Sequence, residues 1–181
     1  MPVKKIKLGT KVVVSDPCYE IPTWCQAIIN NVLPGNYICD VKMIDNIPGE
    51  LCVYHPKSNM KWELTDYDIG VDSGQCGVFD FDSYRNDEIV PDMKNVENEK
   101  GEKWYYPNKE TGDKWYEKIC EYTLYTNESH GGYDSGYVSR SGYGDSNYGL
   151  HITKNNEGKI DGFKVEFIDD SFDNDEYWEP E

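Results

Sequence analysis

The sequence predicts one α+β domain, mainly an antiparallel β-sheet of meander or sandwich type with two short helices. Two observations carry this. Short segments of alternating or β-branched residues recur along the chain, separated by Gly, Pro and Asn turn signals. Only two windows have helical period. The chain has 181 residues and 38% apolar side chains, and 14% aromatics supply the burial that this modest apolar share lacks.

The elements follow in order. Residues 3–8 and 11–14 read as the first two strands, the second ended by Ser15, Asp16 and Pro17. Residues 23–33 are expected to be a helix: Thr23 and Gln26 have capping-box spacing, Trp24, Ala27, Ile28 and Val32 share a face, and Pro34-Gly35 stops it. Residues 36–44 and 51–54 are strands around the turn at Pro48-Gly49. Residues 70–81 are a strand broken by Gly74 and Gly77. Residues 82–112 are polar and turn-rich and read as a surface excursion. Residues 113–122 form the second helix, with Trp115, Ile119 and Tyr122 on one face. A meander closes the domain, with strands near 133–139, 148–153 and 163–167 and a hairpin turn at 155–158. The domain spans 1–168. A tail, 169–181, carries seven acids and no base.

Charge narrows the function. Eighteen basic residues stand against 34 acidic ones, for a net charge of −16, and the whole excess lies beyond residue 62, the part before it being slightly basic. Such a surface repels phosphates, so free nucleic acid is not an expected partner. A protein with a basic surface would be drawn to it. The same acidity also serves solubility. No window approaches a membrane span, and no apolar stretch follows the basic start as in a signal peptide, so a cytoplasmic location is expected. The six cysteines contain no C-x-x-C pair and read as free thiols. No metal site and no cofactor is assigned.

Three local motifs could carry chemistry, and each has a purely structural reading. Asp16, after a strand and before Pro17, is a turn former or a catalytic carboxylate, and Cys18 beside it is a buried thiol or a nucleophile. In residues 70–77, Asp72, Ser73 and Gln75 are polar among residues that should be buried. They mark a β-bulge or a site that a ligand or backbone approaches closely. In residues 141–148, Tyr143 and Asp145 sit on a glycine-rich turn, where Asp145 could face Asp72 or Asp16. If the chain is an enzyme, a hydrolase or nuclease, then Asp16, Asp72, Asp145 and His130 are its catalytic candidates. If it is a binding protein, Ser73, Gln75 and Tyr143 are candidate contacts, and Asp169, Asp170, Asp173 and Asp175 supply electrostatic steering.

Taken in order, S-D-P-C-Y at 15–19, P-G-N-Y at 34–37, G-V-D-S-G-Q-C-G at 70–77 and S-G-Y-G-D-x-x-Y at 141–148 resemble a family of uncharacterised proteins of phages and their bacterial hosts. The resemblance covers most of the chain outside 82–112 and the tail, and implies no catalytic residues. By size, charge and origin the chain also resembles acidic anti-CRISPR and other anti-defence inhibitors. That resemblance implies a protein of the host cytoplasm that occupies the basic channel of a nucleic-acid-handling enzyme such as a CRISPR effector nuclease. A structural interaction module of a phage particle is the remaining alternative.

Overall fold

The computed structural model describes residues 4–90, 96–97, 103–104 and 112–169. Two antiparallel sheets pack face to face. The larger has six strands in the order β1 (Lys4–Leu8), β4 (Gly35–Ile44), β5 (Ile47–Tyr54), β13 (Ile160–Glu166), β12 (Ser146–Lys154) and β6 (Glu63–Val71). The smaller has five: β10 (His130–Tyr133), β11 (Gly136–Arg140), β7 (Gln75–Asp80), β2 (Val12–Ser15) and β3 (Ala27–Ile29). A separate ribbon pairs β8 (Val96–Glu97) with β9 (Lys103–Trp104). One helix, α1 (Asp113–Leu124), covers the outer face of the smaller sheet.

This layering explains a pattern that alternation alone does not. Strand β2 is apolar at every one of its valines, and all three are fully buried. Val12 and Val14 face the larger sheet, whereas Val13 points outward into a second cluster with Phe79, Tyr84, Trp115 and Ile119. A strand covered on both faces reads as a continuous apolar run. Trp115 is the keystone of that second cluster, with its ring 4.9 Å from that of Tyr84 and 5.3 Å from that of Phe79. Truncating such a residue costs about 3–5 kcal/mol. Gly77 is required here, because a Cβ would meet the Phe79 ring and the Tyr137 carbonyl oxygen at 2.7 Å or less. The first turn of α1 is tied down from outside the helix: the Asp87 carboxylate accepts from the N–H groups of Gly112 at 2.8 Å and Trp115 at 2.9 Å.

The α+β class, the antiparallel strands and the second expected helix agree with the sequence reading, but the helix expected over residues 23–33 does not form. Its capping-box contact exists, with Thr23 N–H donating to Gln26 Oε1 at 2.7 Å, yet it closes a turn and the chain then extends into β3. β-branched Ile28 and Ile29 suit a strand, and the edge of β2 offers them a ladder that pairs Val12 with Ile29. Within the stretch expected to be a surface excursion, Phe81–Ser83 and Asp87–Ile89 form helical turns that plant Tyr84 and Val90 in the second cluster.

Candidate functional site

Strand β6 belongs to the larger sheet and β7 to the smaller, so residues 72–74 are the crossing between them. Asp16, at the end of β2, holds that crossing in place. Its carboxylate is fully buried. Oδ1 accepts from Cys18 N–H at 2.8 Å and from the Ser73 hydroxyl at 2.6 Å, while Oδ2 accepts from the N–H groups of Asp72 at 2.8 Å and Ser73 at 2.7 Å. A buried carboxylate is tolerated when its lone pairs are satisfied in this way. The turn former and the polar crossing, which are far apart in sequence, are thus one structural joint.

The joint extends inward through the other polar residues of the motif. Gln75, also buried, donates to the Ser73 hydroxyl at 3.2 Å and to the Cys120 sulfur at 3.5 Å, and accepts from the Thr123 hydroxyl at 2.6 Å. Ser73 and Gln75 therefore link the crossing to α1 instead of facing a partner. On the other side, the Tyr84 hydroxyl donates to the carbonyls of Tyr19 at 2.6 Å and Asp16 at 3.0 Å, and Arg85 donates to that of Pro17 at 3.0 Å. The loop 16–26 is consequently fixed at both ends. Gly70 N–H donates to the Cys25 carbonyl at 2.9 Å, and a Cβ on Gly70 would lie 2.8 Å from Cys25 Cβ. Only glycine lets the loop lie this close to β6.

The consequence is an open cleft of about 360 Å³ whose walls include Tyr19, Trp24, Asp72, Asp145 and Asn147. Trp24 is 87% exposed although the backbone beside it is pinned. Asp72 and Asp145 are exposed as well. Tyr143, 74% exposed, stands on the neighbouring turn. That turn is braced by the Tyr148 hydroxyl, which donates to the carbonyls of Gly144 at 2.6 Å and Ser141 at 3.1 Å. Ser141 N–H in turn donates to the Gly74 carbonyl at 2.9 Å, which joins the third motif to the second. Burial and the hydrogen bond to Asp72 push the Tyr19 hydroxyl well above its usual pKa, so it stays protonated.

The three motifs converge, but not as three carboxylates around one reacting atom. Asp16 points into the joint, whereas Asp72 and Asp145 face the cleft. His130 lies elsewhere, on β10 at the far edge of the smaller sheet, with Nδ1 2.7 Å from the Tyr137 hydroxyl. Its charged surroundings are Glu128, Lys4 and Asp40, and burial lowers its pKa. Cys18 is no ready nucleophile: burial first, then the Asp16 charge, raises its thiol to about 12. Among the described residues no group of three or more His, Cys, Asp or Glu side chains could hold a metal ion. Asp169 is exposed at the end of the described chain, and Asp170, Asp173 and Asp175 lie outside the described residues.

Sequence reasoning missed Trp24, which the expected helix would have buried, together with Tyr19 and Asn147. The arrangement that results is an aromatic wall beside two exposed carboxylates, which suits binding of a cation better than cleavage of a bond. No protein-family model matches the chain, and no curated protein or solved structure matches it.

Proposed function

We propose that the protein is a binding module that inhibits a nucleic-acid-handling enzyme of its host, as acidic anti-CRISPR and anti-defence inhibitors do. It docks a basic surface of that enzyme with the face that carries Trp24, Tyr143, Asp72 and Asp145, and works in the cytoplasm. The observation that carries this reading is the exposed Trp24, on a backbone pinned at Cys25, beside the exposed carboxylates of Asp72 and Asp145, on a chain of net charge −16. Tryptophan is enriched at the energetic centre of protein interfaces, and one on a pinned backbone docks without the added cost of ordering a loop. The net charge speeds encounter with a basic groove made for phosphates. The catalytic alternative loses support because Asp16 is fully engaged in the fold and His130 belongs to a different part of the sheet. Among the described residues no helix is long and apolar enough to cross a membrane.

The test is affinity capture from bacterial lysate with the wild-type chain and with the triple variant Trp24→Ala, Asp72→Asn, Asp145→Asn. The captured enzyme is then assayed on its nucleic-acid substrate. The expected result is a nucleic-acid-processing enzyme that is captured and inhibited by the wild type and released by the variant. Capture of no such enzyme, or capture without inhibition, would refute the proposal.

A further inference from the structure

We infer that the cleft between Trp24 and the two carboxylates is an arginine pocket, which receives a guanidinium group of the docked partner. The inference rests on the binding reading and adds the chemistry that the face recognises.

The pocket has the parts that a guanidinium needs. The exposed indole of Trp24 offers a flat wall on which a planar cation can stack. Asp72 and Asp145 supply acceptors from two separate turns, and the Asn147 side chain supplies a neutral polar group at the same opening. Asp72 accepts a hydrogen bond from the neutral Tyr19 hydroxyl, which leaves its charge uncompensated. Lys118 pairs with Glu121 and Lys164 with Glu166, and among the described residues neither Asp72 nor Asp145 has a cation partner. The cations that sit over rings are likewise elsewhere: Lys11 on Phe81, Lys118 on Tyr122 and Lys164 on Trp62. The backbone that carries the walls is also preorganised. Asp72 is fixed through its backbone N–H by Asp16, the backbone beside Trp24 is fixed by the Cys25 contact to Gly70, and Asp145 follows the braced turn at 141–144. A site that is rigid before binding loses less entropy when it closes on a flexible side chain. Arginine fits better than lysine, because its plane covers the indole while its fork bonds carboxylates, whereas an ammonium is a point charge that keeps its water.

The probe is N-acetyl-arginine amide, titrated into the full chain labelled with ¹⁵N at its tryptophans. The Trp24 indole signal is assigned by its loss in Trp24→Phe. The lysine and citrulline amides serve as comparisons, since citrulline keeps the shape of arginine and removes its charge. The expected result is a saturable shift of the Trp24 signal with arginine, about threefold weaker affinity for lysine, and no saturable shift with citrulline. Asp72→Asn with Asp145→Asn should weaken arginine binding about threefold to tenfold at low salt, with the urea midpoint unchanged. Equal shifts with citrulline, no shift with arginine, or an arginine affinity unaffected by the double variant would overturn the inference. Its failure is separable from that of the binding reading. If the host enzyme is captured and inhibited while arginine amide does not bind, the pocket is wrong and the inhibitor reading stands. Arginine binding with no enzyme inhibited has the opposite meaning.

Discussion

Replacing Asp16 with asparagine should strongly destabilise this protein, and the size of the effect follows from its four hydrogen bonds. Asparagine keeps one oxygen, which can still serve two donors. The other position becomes an NH₂ group, and it would face the N–H groups of either Asp72 and Ser73 or Cys18 with the Ser73 hydroxyl. Hydrogen bonds to a charged acceptor contribute about 1.5–3 kcal/mol each, and an abandoned buried donor costs a similar amount. Losing two of them destabilises by about 3–5 kcal/mol after partial relaxation, against a total stability of about 5–15 kcal/mol for a domain. Urea unfolding followed by near-ultraviolet circular dichroism reads this directly. Asp72→Asn is the matched control: its side chain is exposed, and it should change stability by no more than about 0.5 kcal/mol. A double-mutant cycle of Asp16→Asn with Ser73→Ala should show coupling, since the Ser73 hydroxyl donates to Oδ1 at 2.6 Å. If Asp16→Asn lowered stability by less than about 1 kcal/mol while abolishing a reaction, the structural role given to Asp16 would be wrong and the catalytic one restored.

Three further predictions concern other parts of the fold. Burial raises the Glu121 carboxyl from an ordinary 4.5 to about 7, so between these values the folded state holds a proton that the unfolded state has released, and stability falls as pH rises through that window. Glu121→Gln should therefore flatten this decline in urea melts between pH 4.5 and about 7, at the cost of the 3.3 Å contact with Lys118. Gly70→Ala should displace Cys25 and cost about 1–3 kcal/mol from overpacking, with a change in the Trp24 indole signal as its signature. All six cysteines are free thiols, and burial raises the pKa of Cys18, Cys39, Cys52, Cys76 and Cys120. Alkylation at neutral pH should be slow for these five until denaturant is added, as mass spectrometry would show.

The sequence made the architecture legible where one local rule decides the structure. The period of Trp115, Ile119 and Tyr122 identified α1, and the turn residues at 155–158 placed the β12–β13 hairpin. It misled at residues 23–33, where a real capping contact closes a single turn and pairing with β2 then overrides the helical period. No local rule could reveal that β2 would be covered on both sides, because the residues that cover it come from α1 and from Tyr84. The site was half visible. Its polar residues stood out in apolar or turn-rich surroundings, and three motifs with an aspartate within two residues of glycine or proline hinted at convergence. What the sequence withheld was direction. Asp16 turns inward to hold the crossing, Asp72 turns outward, and the indole of Trp24 is left in solvent by a contact that depends on the missing side chain of Gly70.

We propose above all that the Trp24 face docks a basic enzyme and that charge guides the encounter. The most direct measurement is the association rate with the captured enzyme, taken from low to physiological salt for the wild type and for Trp24→Ala. The wild-type rate should fall steeply with salt, and the variant should keep a similar rate but dissociate faster by about tenfold or more, since a central tryptophan acts mainly after encounter. A rate indifferent to salt, together with unchanged dissociation on losing Trp24, would contradict the proposal.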